Sequence, residues 1–259
     1  MGKLRVTLAQ QAPVWSDPAA NRARLEALLS PLAGKTDLIV LPETFTTGFT
    51  MAVESVAEPA GGPTVRWLQS LSRTLDAAVT GSVITSEGGK YYNRLLWATP
   101  EGMRHYDKRH LFRFGHENDH FTAGRRVWSA EWRGMRICPL VCYDLRFPVF
   151  SRRRPDLDYD LLLYVANWPA VRVYPWQQLL KARAIENQAF VVGVNRVGSD
   201  GHGVPYSGDS AAHDFLGQPL VELDDQPALR TVELDGAALR AFRDKFQAHL
   251  DADRFTLEW

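Results

Sequence analysis

The sequence predicts an α/β domain, and three observations support that prediction. Hydrophobic runs of strand length alternate along the chain with amphipathic stretches of helix length, as they do where helices pack on a mostly parallel sheet. Two of the runs, at residues 77–85 and 91–99, flank a turn at residues 87–89, and such a hairpin requires some antiparallel pairing as well. No linker, repeat or low-complexity stretch interrupts the chain, so we expect a single domain over residues 1–259.

The helices are expected from their first residues and from the spacing of their apolar side chains. Asp17 can cap a helix whose first position is taken by Pro18, a residue suited to that position by its fixed φ. In the second helix Val65, Leu68 and Leu71 recur at helical spacing. The helices are expected at residues 18–32, from residue 62 onward, at 175–187 and at 235–246.

The strands are expected where short apolar runs lie between turn residues. One such run leads directly into Pro42-Glu43, and another ends at Cys142. The tail at residues 247–259 shows no clear helical period. The strands are expected at residues 4–9, 37–41, 77–85, 91–99, 133–142, 159–166, 189–196, 207–213 and 229–234.

Composition and charge exclude several kinds of partner. The chain has 30 acidic and 30 basic residues and a formal net charge of zero, which removes the bulk electrostatic attraction to nucleic acid or to an anionic membrane. It contains no run of about 18 apolar residues that would span a membrane, and its first residues lack the apolar core of a signal peptide. We therefore expect no nucleic acid and no membrane as partner, and the cytoplasm as the compartment.

The cysteines do not indicate a structural role. Cys138 and Cys142 are the two cysteines of the chain, too few for a disulfide framework. Two thiols without a second cluster of ligands also fall short of the four ligands that are typical of a zinc site. Because no glycine-rich phosphate loop is present either, the sequence predicts neither a metal nor another cofactor.

Three short segments bring a reactive side chain to a strand end or to an adjoining loop. The carboxylate of Glu43 follows a buried run, the ammonium of Lys108 lies beyond the hairpin, and the thiol of Cys142 ends a predicted strand. Side chains held by a rigid scaffold and open toward a cleft suit covalent catalysis. Each residue also has an ordinary explanation when taken alone: a first-turn carboxylate, a solvated lysine and a buried cysteine.

Taken together, in the order Glu, Lys, Cys, the segments resemble the nitrilase superfamily of carbon–nitrogen hydrolases, whose members share such a triad. The resemblance is closest to the omega-amidase branch and covers nearly the whole chain. It implies a four-layer α-β-β-α sandwich of two stacked sheets. Three later stretches support the same branch, at residues 165–169, 182–188 and 195–198.

This resemblance implies a thiol-dependent amidase that acts on the side-chain amide of a small 2-oxo acid such as 2-oxoglutaramate. Cys142 would attack the amide carbonyl, with Glu43 as general base and with Lys108 favouring the thiolate. Lys108 and the backbone N–H of Tyr143 would bind the oxyanion. A carbamoyl-amine amidase or a nitrilase could use the same residues, and a non-catalytic binding protein on this fold is a further alternative.

Glu117 resembles a second glutamate found in many members of the superfamily, which implies that it holds Lys108 and orients the substrate. It follows Lys108 by nine residues, a shorter spacing than in many relatives, and the alternative is an exposed loop acid. His116 and His120 flank Glu117. A histidine near a cysteine nucleophile would suggest a papain-like dyad, but such a dyad needs a third, orienting group, and the sequence identifies none.

The remaining candidates concern substrate binding. Trp168 follows a buried strand and is expected either as a pocket wall or as a core aromatic. The carboxylate of an oxo acid needs a cationic partner, for which arginine is well suited. Arg113, Arg146 and Arg172 lie near the motifs in sequence, and the sequence does not rank them.

Similar proteins commonly pair through helices of the sandwich and the C-terminal region, which implies a homodimer. If the tail is extended, Phe255, Leu257 and Trp259 fall on one side of it, because side chains alternate along an extended chain. That side would be an apolar surface for a partner subunit to cover. The alternative is a tail that folds back on its own domain.

Overall fold

The computed structural model describes residues 2–258. Its strands form a seven-stranded sheet, a six-stranded sheet and a separate two-stranded ribbon. The strands are β1 (Lys3–Gln10), β2 (Leu38–Val40), β3 (Glu58–Pro59), β4 (Ala78–Glu87), β5 (Lys90–Thr99), β6 (Gly102–Asp107), β7 (Ala130–Trp132), β8 (Met135–Val141), β9 (Leu161–Ala166), β10 (Phe190–Asn195), β11 (Val197–Ser199), β12 (Pro205–Ser207), β13 (Ala211–His213), β14 (Pro219–Glu222) and β15 (Ala228–Asp235).

Four α-helices of 10 to 15 residues and three of four residues accompany these strands within residues 2–258. Among residues 2–258, none of the helices is both long enough and apolar enough to cross a membrane. Short 3₁₀ helices also occur, one of them directly after β8 at Cys142–Arg146. The α-helices are α1 (Pro18–Leu29), α2 (Val53–Val56), α3 (Pro63–Leu75), α4 (Glu117–His120), α5 (Pro148–Ser151), α6 (Val173–Asn187) and α7 (Gly236–Lys245).

Each main sheet has a parallel centre with antiparallel strands beside it. The seven-stranded sheet runs in the order β15-β1-β2-β4-β5-β6, with β3 paired to β4, and the six-stranded sheet runs β14-β13-β10-β9-β8-β7. The pairs β1–β2 and β2–β4 are parallel, as are β8–β9 and β9–β10. The predicted hairpin is the antiparallel pair β4–β5.

The order of the four layers can be inferred from the side chains that pack together in each hydrophobic cluster. Alternate residues of β1, including Leu4 and Val6, point in one direction and pack in the same cluster as Ile137 of β8 and Val165 of β9. The two sheets therefore lie face to face. On the outer side of the first sheet, Ile39 of β2 belongs to a second cluster.

Helices cover the outer face of each sheet. Leu25 of α1 and Leu68 of α3 pack in the cluster on the outer side of the seven-stranded sheet. Trp176 and Leu180 of α6 pack against the six-stranded sheet, where Gly193 of β10 lets the helix approach closely: a Cβ there would lie 2.6 Å from Leu180. The predicted α-β-β-α sandwich is confirmed.

The differences from the predicted elements have local causes. The first helix keeps its predicted N-cap, since the Asp17 side chain accepts from the backbone of Ala20, but its regular part ends at Leu29. Pro31 lacks the N–H that would continue it. The strand expected at residues 207–213 is broken into β12 and β13, because Gly208 and Asp209 both take positive φ values.

The tail follows the surface of its own subunit. After the 3₁₀ helix Ala248–Asp251, the Arg154 guanidinium lies 5.8 Å from the centre of the Phe255 ring, and Leu257 packs against the main core. These contacts match the alternative of a tail that folds back. Trp259, the last residue of the expected apolar face, lies outside the described residues.

Candidate active site

Glu43, Lys108 and Cys142 lie together at one edge of the two stacked sheets. Glu43 follows β2 and Lys108 follows β6, both in the seven-stranded sheet, whereas Cys142 follows β8 of the six-stranded sheet. All three side chains border one cavity of about 260 Å³. Because side chains at the ends of rigid strands are held by the scaffold, the packing of the sheets sets the position of the thiol relative to the two charged groups.

Lys108 is held between two carboxylates. Its Nζ donates to Glu43 Oε1 at 2.8 Å and to the two oxygens of Glu117 at 2.9 and 3.1 Å. The Lys108 side chain is 1% exposed, and both glutamates are completely buried. Glu117 also accepts from the backbone N–H of Phe112 at 2.6 Å. Glu117 is thus a buried partner of Lys108 and not an exposed loop acid.

Two asparagines fix the directions of the carboxylates. The Nδ2 of Asn93 on β5 donates to Glu43 Oε1 at 2.8 Å and to Glu117 Oε1 at 3.0 Å. Asn167 follows β9, and its backbone N–H donates to Glu43 Oε2 at 2.7 Å while its side chain donates to the Glu43 carbonyl oxygen at 2.7 Å. Glu43 is therefore anchored at both carboxylate oxygens and at its backbone, and little rotational freedom remains to its side chain.

The charges of the site depend strongly on one another. Burial opposes the charge of Lys108, but Glu117 and Glu43 outweigh that effect and raise the pKa of Lys108 above its usual value. Burial raises the pKa of Glu117, although the Lys108 ammonium acts in the opposite direction. The raised pKa keeps the Lys108 ammonium protonated at neutral pH.

Cys142 stands at a sharp turn of the backbone. It directly follows β8 with a φ of +44°, a value that costs free energy for a residue with a Cβ, and the residue is 8% exposed. Burial and the neighbouring Glu43 raise the pKa of the thiol well above its usual value, and the opposing effect of Lys108 is smaller. The expectation that Lys108 favours the thiolate is correct in sign, but the resting group is a thiol.

The backbone N–H of Tyr143 belongs to the first turn of the 3₁₀ helix Cys142–Arg146. N–H groups in the first turn of a helix have no partner within that helix. The Tyr143 side chain borders the cavity next to Cys142, and its ring lies 5.1 Å from that of Phe112. The Tyr143 N–H therefore has no partner within the 3₁₀ helix, and it belongs to the residue that directly follows Cys142.

The cavity walls include most of the predicted binding residues. Trp168, Arg146 and Arg172 all border it, and the indole of Trp168 is nearly buried and donates to the Arg172 carbonyl oxygen at 2.7 Å. The Arg146 guanidinium lies 4.9 Å from the centre of the Trp168 ring, and that of Arg172 lies 5.3 Å from Phe112. Trp168 is therefore a wall of the cavity that also supports both arginines.

Three of the sequence candidates lie away from the cavity. Arg113 is exposed and does not border it. His116 is exposed and pairs with Asp119 at 3.0 Å, and His120 is exposed at the end of α4. A papain-like dyad with Cys142 is accordingly not formed. Within residues 2–258, no group of three or more His, Cys, Asp or Glu side chains is arranged to hold a metal ion.

Several polar residues that organise the site were not predicted from the sequence. Asn167 carried a usable signal, because it directly follows a buried strand just as Cys142 does. Asn93 carried none, since it lies inside β5 among apolar and charged neighbours. Asp144 follows Cys142 by two residues, but its contacts with the segment around Lys108 join residues 34 or more positions apart and leave no local pattern.

Iodoacetamide is expected to alkylate Cys142 and to leave Cys138 unmodified, because of the two only Cys142 borders the cavity and Cys138 is completely buried. Since the raised pKa keeps the Cys142 thiol protonated, the alkylation rate should climb from about pH 7 to about pH 9 without a plateau. Mass spectrometry of the modified peptides gives both site and rate. Cys142→Ala is the control, and a plateau already at neutral pH would contradict a protonated resting thiol.

Known proteins resemble this chain over nearly its full length. The family model "Carbon-nitrogen hydrolase" matches residues 5–244. The "Omega-amidase YafV" of Escherichia coli (strain K12) is 49% identical over 261 residues, which cover 99% of this chain and 100% of that protein. The "2-oxoglutaramate amidase" of Bacillus subtilis (strain 168) is 32% identical over 225 residues, with 85% and 86% covered.

A solved structure gives the same result. XC1258 from Xanthomonas campestris, described as a CN-hydrolase superfamily protein with an arsenic adduct in the active site, aligns with a TM-score of 0.97 at 53% identity and covers 100% of both chains. Fold and sequence thus agree along the whole molecule. This protein belongs to the carbon–nitrogen hydrolase family, the nitrilase superfamily that its three short segments resemble.

Proposed function

We propose that this protein is an amidase that hydrolyses the side-chain amide of a small 2-oxo acid, such as 2-oxoglutaramate, to the acid and ammonia. The observation that carries the proposal is the Glu43 carboxylate, bonded to the Lys108 ammonium at 2.8 Å and adjoining the Cys142 thiol in one cavity. Relatives that are named omega-amidase and 2-oxoglutaramate amidase support the choice of substrate.

The first step forms a carbon–sulfur bond. Glu43 takes the proton of the Cys142 thiol as the sulfur attacks the amide carbonyl carbon, and the carbonyl π electrons move to the oxygen. A base is needed because the raised pKa keeps the thiol protonated. Glu43 adjoins the thiol, and its carboxylate is held by Asn93 and Asn167, so no reorientation has to precede the proton transfer.

The second requirement is a partner for the oxyanion. The Lys108 ammonium and the backbone N–H of Tyr143 are the two donors that we assign to it. Fixed donors of this kind stabilise developing charge more than water does, because they need no reorganisation, and losing one typically costs about 3 kcal/mol. Glu117 keeps the ammonium in position through two contacts of 2.9 and 3.1 Å.

The intermediate then collapses and is hydrolysed. The oxyanion re-forms the carbonyl as the carbon–nitrogen bond breaks, and protonated Glu43 gives its proton to the departing nitrogen, so that ammonia leaves and an acyl-thioester remains on Cys142. Glu43 next takes a proton from a water molecule that attacks the thioester. The carbon–sulfur bond breaks, the thiol recovers a proton from Glu43, and the free acid leaves.

Arg146 and Arg172 are the residues that we propose for the substrate carboxylate. Both guanidiniums border the cavity, and neither forms an ion pair with a carboxylate of residues 2–258. Most of the remaining wall is apolar, with Phe49, Met51 and Trp168 among its residues. A short carbon chain with an amide at one end and a carboxylate at the other is complementary to such a cavity.

Ammonia release from 2-oxoglutaramate tests the proposed function. The wild type should release ammonia, Cys142→Ala should release none, and Lys108→Ala should lose about 10²- to 10³-fold in kcat because an oxyanion donor is gone. Glu43→Gln should be equally impaired, since an amide cannot accept the proton. Cys138→Ala is the matched control and should remain active.

Other outcomes of the same assay are informative. If the wild type does not hydrolyse 2-oxoglutaramate but hydrolyses a carbamoyl amine or a nitrile, the proposed substrate class is wrong and the proposed roles of the catalytic residues still hold. If the wild type hydrolyses none of the three substrates and both cysteines are alkylated equally slowly, the result would favour the interpretation that the chain is a non-catalytic binding protein.

The carboxylate assignment has its own test. Arg146→Met and Arg172→Met should each raise KM for 2-oxoglutaramate by about 10- to 100-fold, the usual effect of losing a hydrogen bond to a charged group. Neither should change KM for butyramide, which has no carboxylate. The control is Arg113→Met, which removes an exposed guanidinium away from the cavity. Equal effects on both substrates would mean that the arginines only shape the cavity.

We also propose that residues 1–259 act as one domain and that two copies form a homodimer through α6 and the C-terminal region. Ile185 of α6 is 56% exposed, and Phe246 and Leu250 are 58% and 68% exposed. Gln188 ties the end of α6 to the Phe246 carbonyl oxygen at 2.8 Å, so these apolar groups belong to neighbouring surface. Light scattering should give twice the mass of one chain, and the mass of a single chain would reject the dimer.

The cytoplasm is the compartment that we propose. Both cysteines are free, and a catalytic thiol remains active where thiols stay reduced, as they do in the cytosol.

A further inference from the structure

Asp144 is a buried acid that does not border the cavity, yet its carboxylate is surrounded by donors. Oδ2 accepts from the Tyr106 hydroxyl at 2.7 Å and from the backbone N–H of Val141 at 3.0 Å. Oδ1 accepts from the backbone N–H of His110 at 3.0 Å and lies 2.7 Å from Nδ1 of the same histidine. The side chain is completely buried. A single carboxylate thus has four close partners and no contact with solvent.

The partners on one side belong to the segment that carries Lys108. Tyr106 precedes Lys108 by two residues and His110 follows it by two. The Tyr106 oxygen also accepts from the backbone N–H of Arg109 at 3.0 Å, and the imidazole of His110 is stacked on the Phe147 ring with 3.8 Å between centroids. The backbone on both sides of Lys108 is therefore tied to the Asp144 carboxylate.

The partners on the other side belong to the turn that carries Cys142. Val141 directly precedes Cys142, and the Asp144 carbonyl oxygen accepts from the backbone N–H of Phe147 at 3.0 Å. The Cys142 φ of +44° is an unfavourable conformation that persists only where the surroundings enforce it. The hydrogen bond from the Val141 N–H to the Asp144 side chain holds the backbone on both sides of Cys142 in this conformation.

We propose that Asp144 is a positioning residue that fixes the distance between the Lys108 ammonium and the Cys142 thiol. The inference rests on the proposed function, in which these two groups act on the same amide. Its basis is connectivity: Asp144 links the end of β6 in one sheet with the end of β8 in the other. Because the oxyanion must meet Lys108 while its carbon is bonded to Cys142, a small change in this distance acts directly on the reaction.

A carboxylate suits this position better than an amide does. Both Val141 and His110 present backbone N–H groups, which can only donate, and they point to different oxygens of Asp144. An asparagine has one acceptor oxygen, so in either orientation its NH₂ group would face one of these N–H groups. The two loops would then move apart to relieve the repulsion, while the cavity walls keep their side chains.

Asp144→Asn tests the inference with 2-oxoglutaramate as substrate. We expect kcat, per active site counted by stoichiometric alkylation of Cys142, to fall by about 10- to 100-fold, the effect of a displacement of about 1 Å. KM should stay near the wild-type value, because Asp144 does not border the cavity. The alkylation rate of Cys142 should fall as well, since Lys108 lowers the thiol pKa from its present position.

Two further variants separate positioning from folding. Asp160→Asn removes another completely buried carboxylate, which is bound by Arg243 at 2.7 Å at the start of β9. It should lower the melting temperature and leave kcat per active site unchanged. Tyr106→Phe keeps the ring and removes the hydroxyl that bonds Asp144 and accepts from the Arg109 N–H, so it should lower kcat in the same direction, by less, even if Asp144→Asn does not fold.

The outcomes are distinct. Wild-type values of kcat and of the alkylation rate in a folded Asp144→Asn, or in Tyr106→Phe, would overturn the positioning role. An Asp160→Asn variant that loses as much kcat as Asp144→Asn would also overturn it, because any buried carboxylate would then have the same effect. A wild type without amidase activity would refute the proposed function instead, and the alkylation rates of the variants would still test the position of Lys108.

Discussion

The site depends on one buried cation. Lys108 carries its charge with 1% of its side chain exposed, and an unpaired ammonium in such surroundings would lose its proton or unfold the site. Glu43 and Glu117 prevent this by pairing with the ammonium at 2.8 and 2.9 Å, and removing one member of a buried ion pair typically costs about 3–5 kcal/mol. The carboxylates depend on the ammonium in turn. Both accept from the side-chain NH₂ of Asn93, and the positive charge of Lys108 offsets the repulsion between two acidic groups that lie so close together. Burial, and after it the neighbouring Glu43, raises the pKa of the Cys142 thiol in the same site.

The stacking of the sheets turns this cluster into a site. Glu43, Lys108 and Asn93 come from the seven-stranded sheet, and Cys142 and Asn167 come from the six-stranded one. Bonds of 2.7 Å from Asn167 to Glu43 cross between the sheets. The hydrophobic layer between the sheets therefore does more than stabilise the fold. It sets the relative position of the Glu43 carboxylate and the Cys142 thiol at the cavity. Few of the polar groups there are free to reorient.

The α/β class could be predicted from local signals in the sequence, whereas the four-layer sandwich and the roles of Glu43, Lys108 and Cys142 were implied by the resemblance of three segments to the nitrilase superfamily. Asp17 before Pro18 marks a helix start, and Glu43 and Cys142 each follow an apolar run. The strand β6 has no such signal, because it lies at the edge of its sheet, where a strand can consist largely of charged and polar residues and needs no apolar run. The choice among Arg113, Arg146 and Arg172 was equally beyond the sequence, because the direction of each side chain depends on tertiary packing, such as the Trp168 ring beneath Arg146.

The division of the reactive groups between two sheets also bears on how the protein assembles. A chain in which both sheets had formed but had not yet docked would possess all its secondary structure and still lack a base beside its thiol. Compact states with loosened packing are of this kind. Catalytic competence would then arise at the last step of folding and vanish at the first step of unfolding. Activity is for that reason a more sensitive report of inter-sheet docking than circular dichroism.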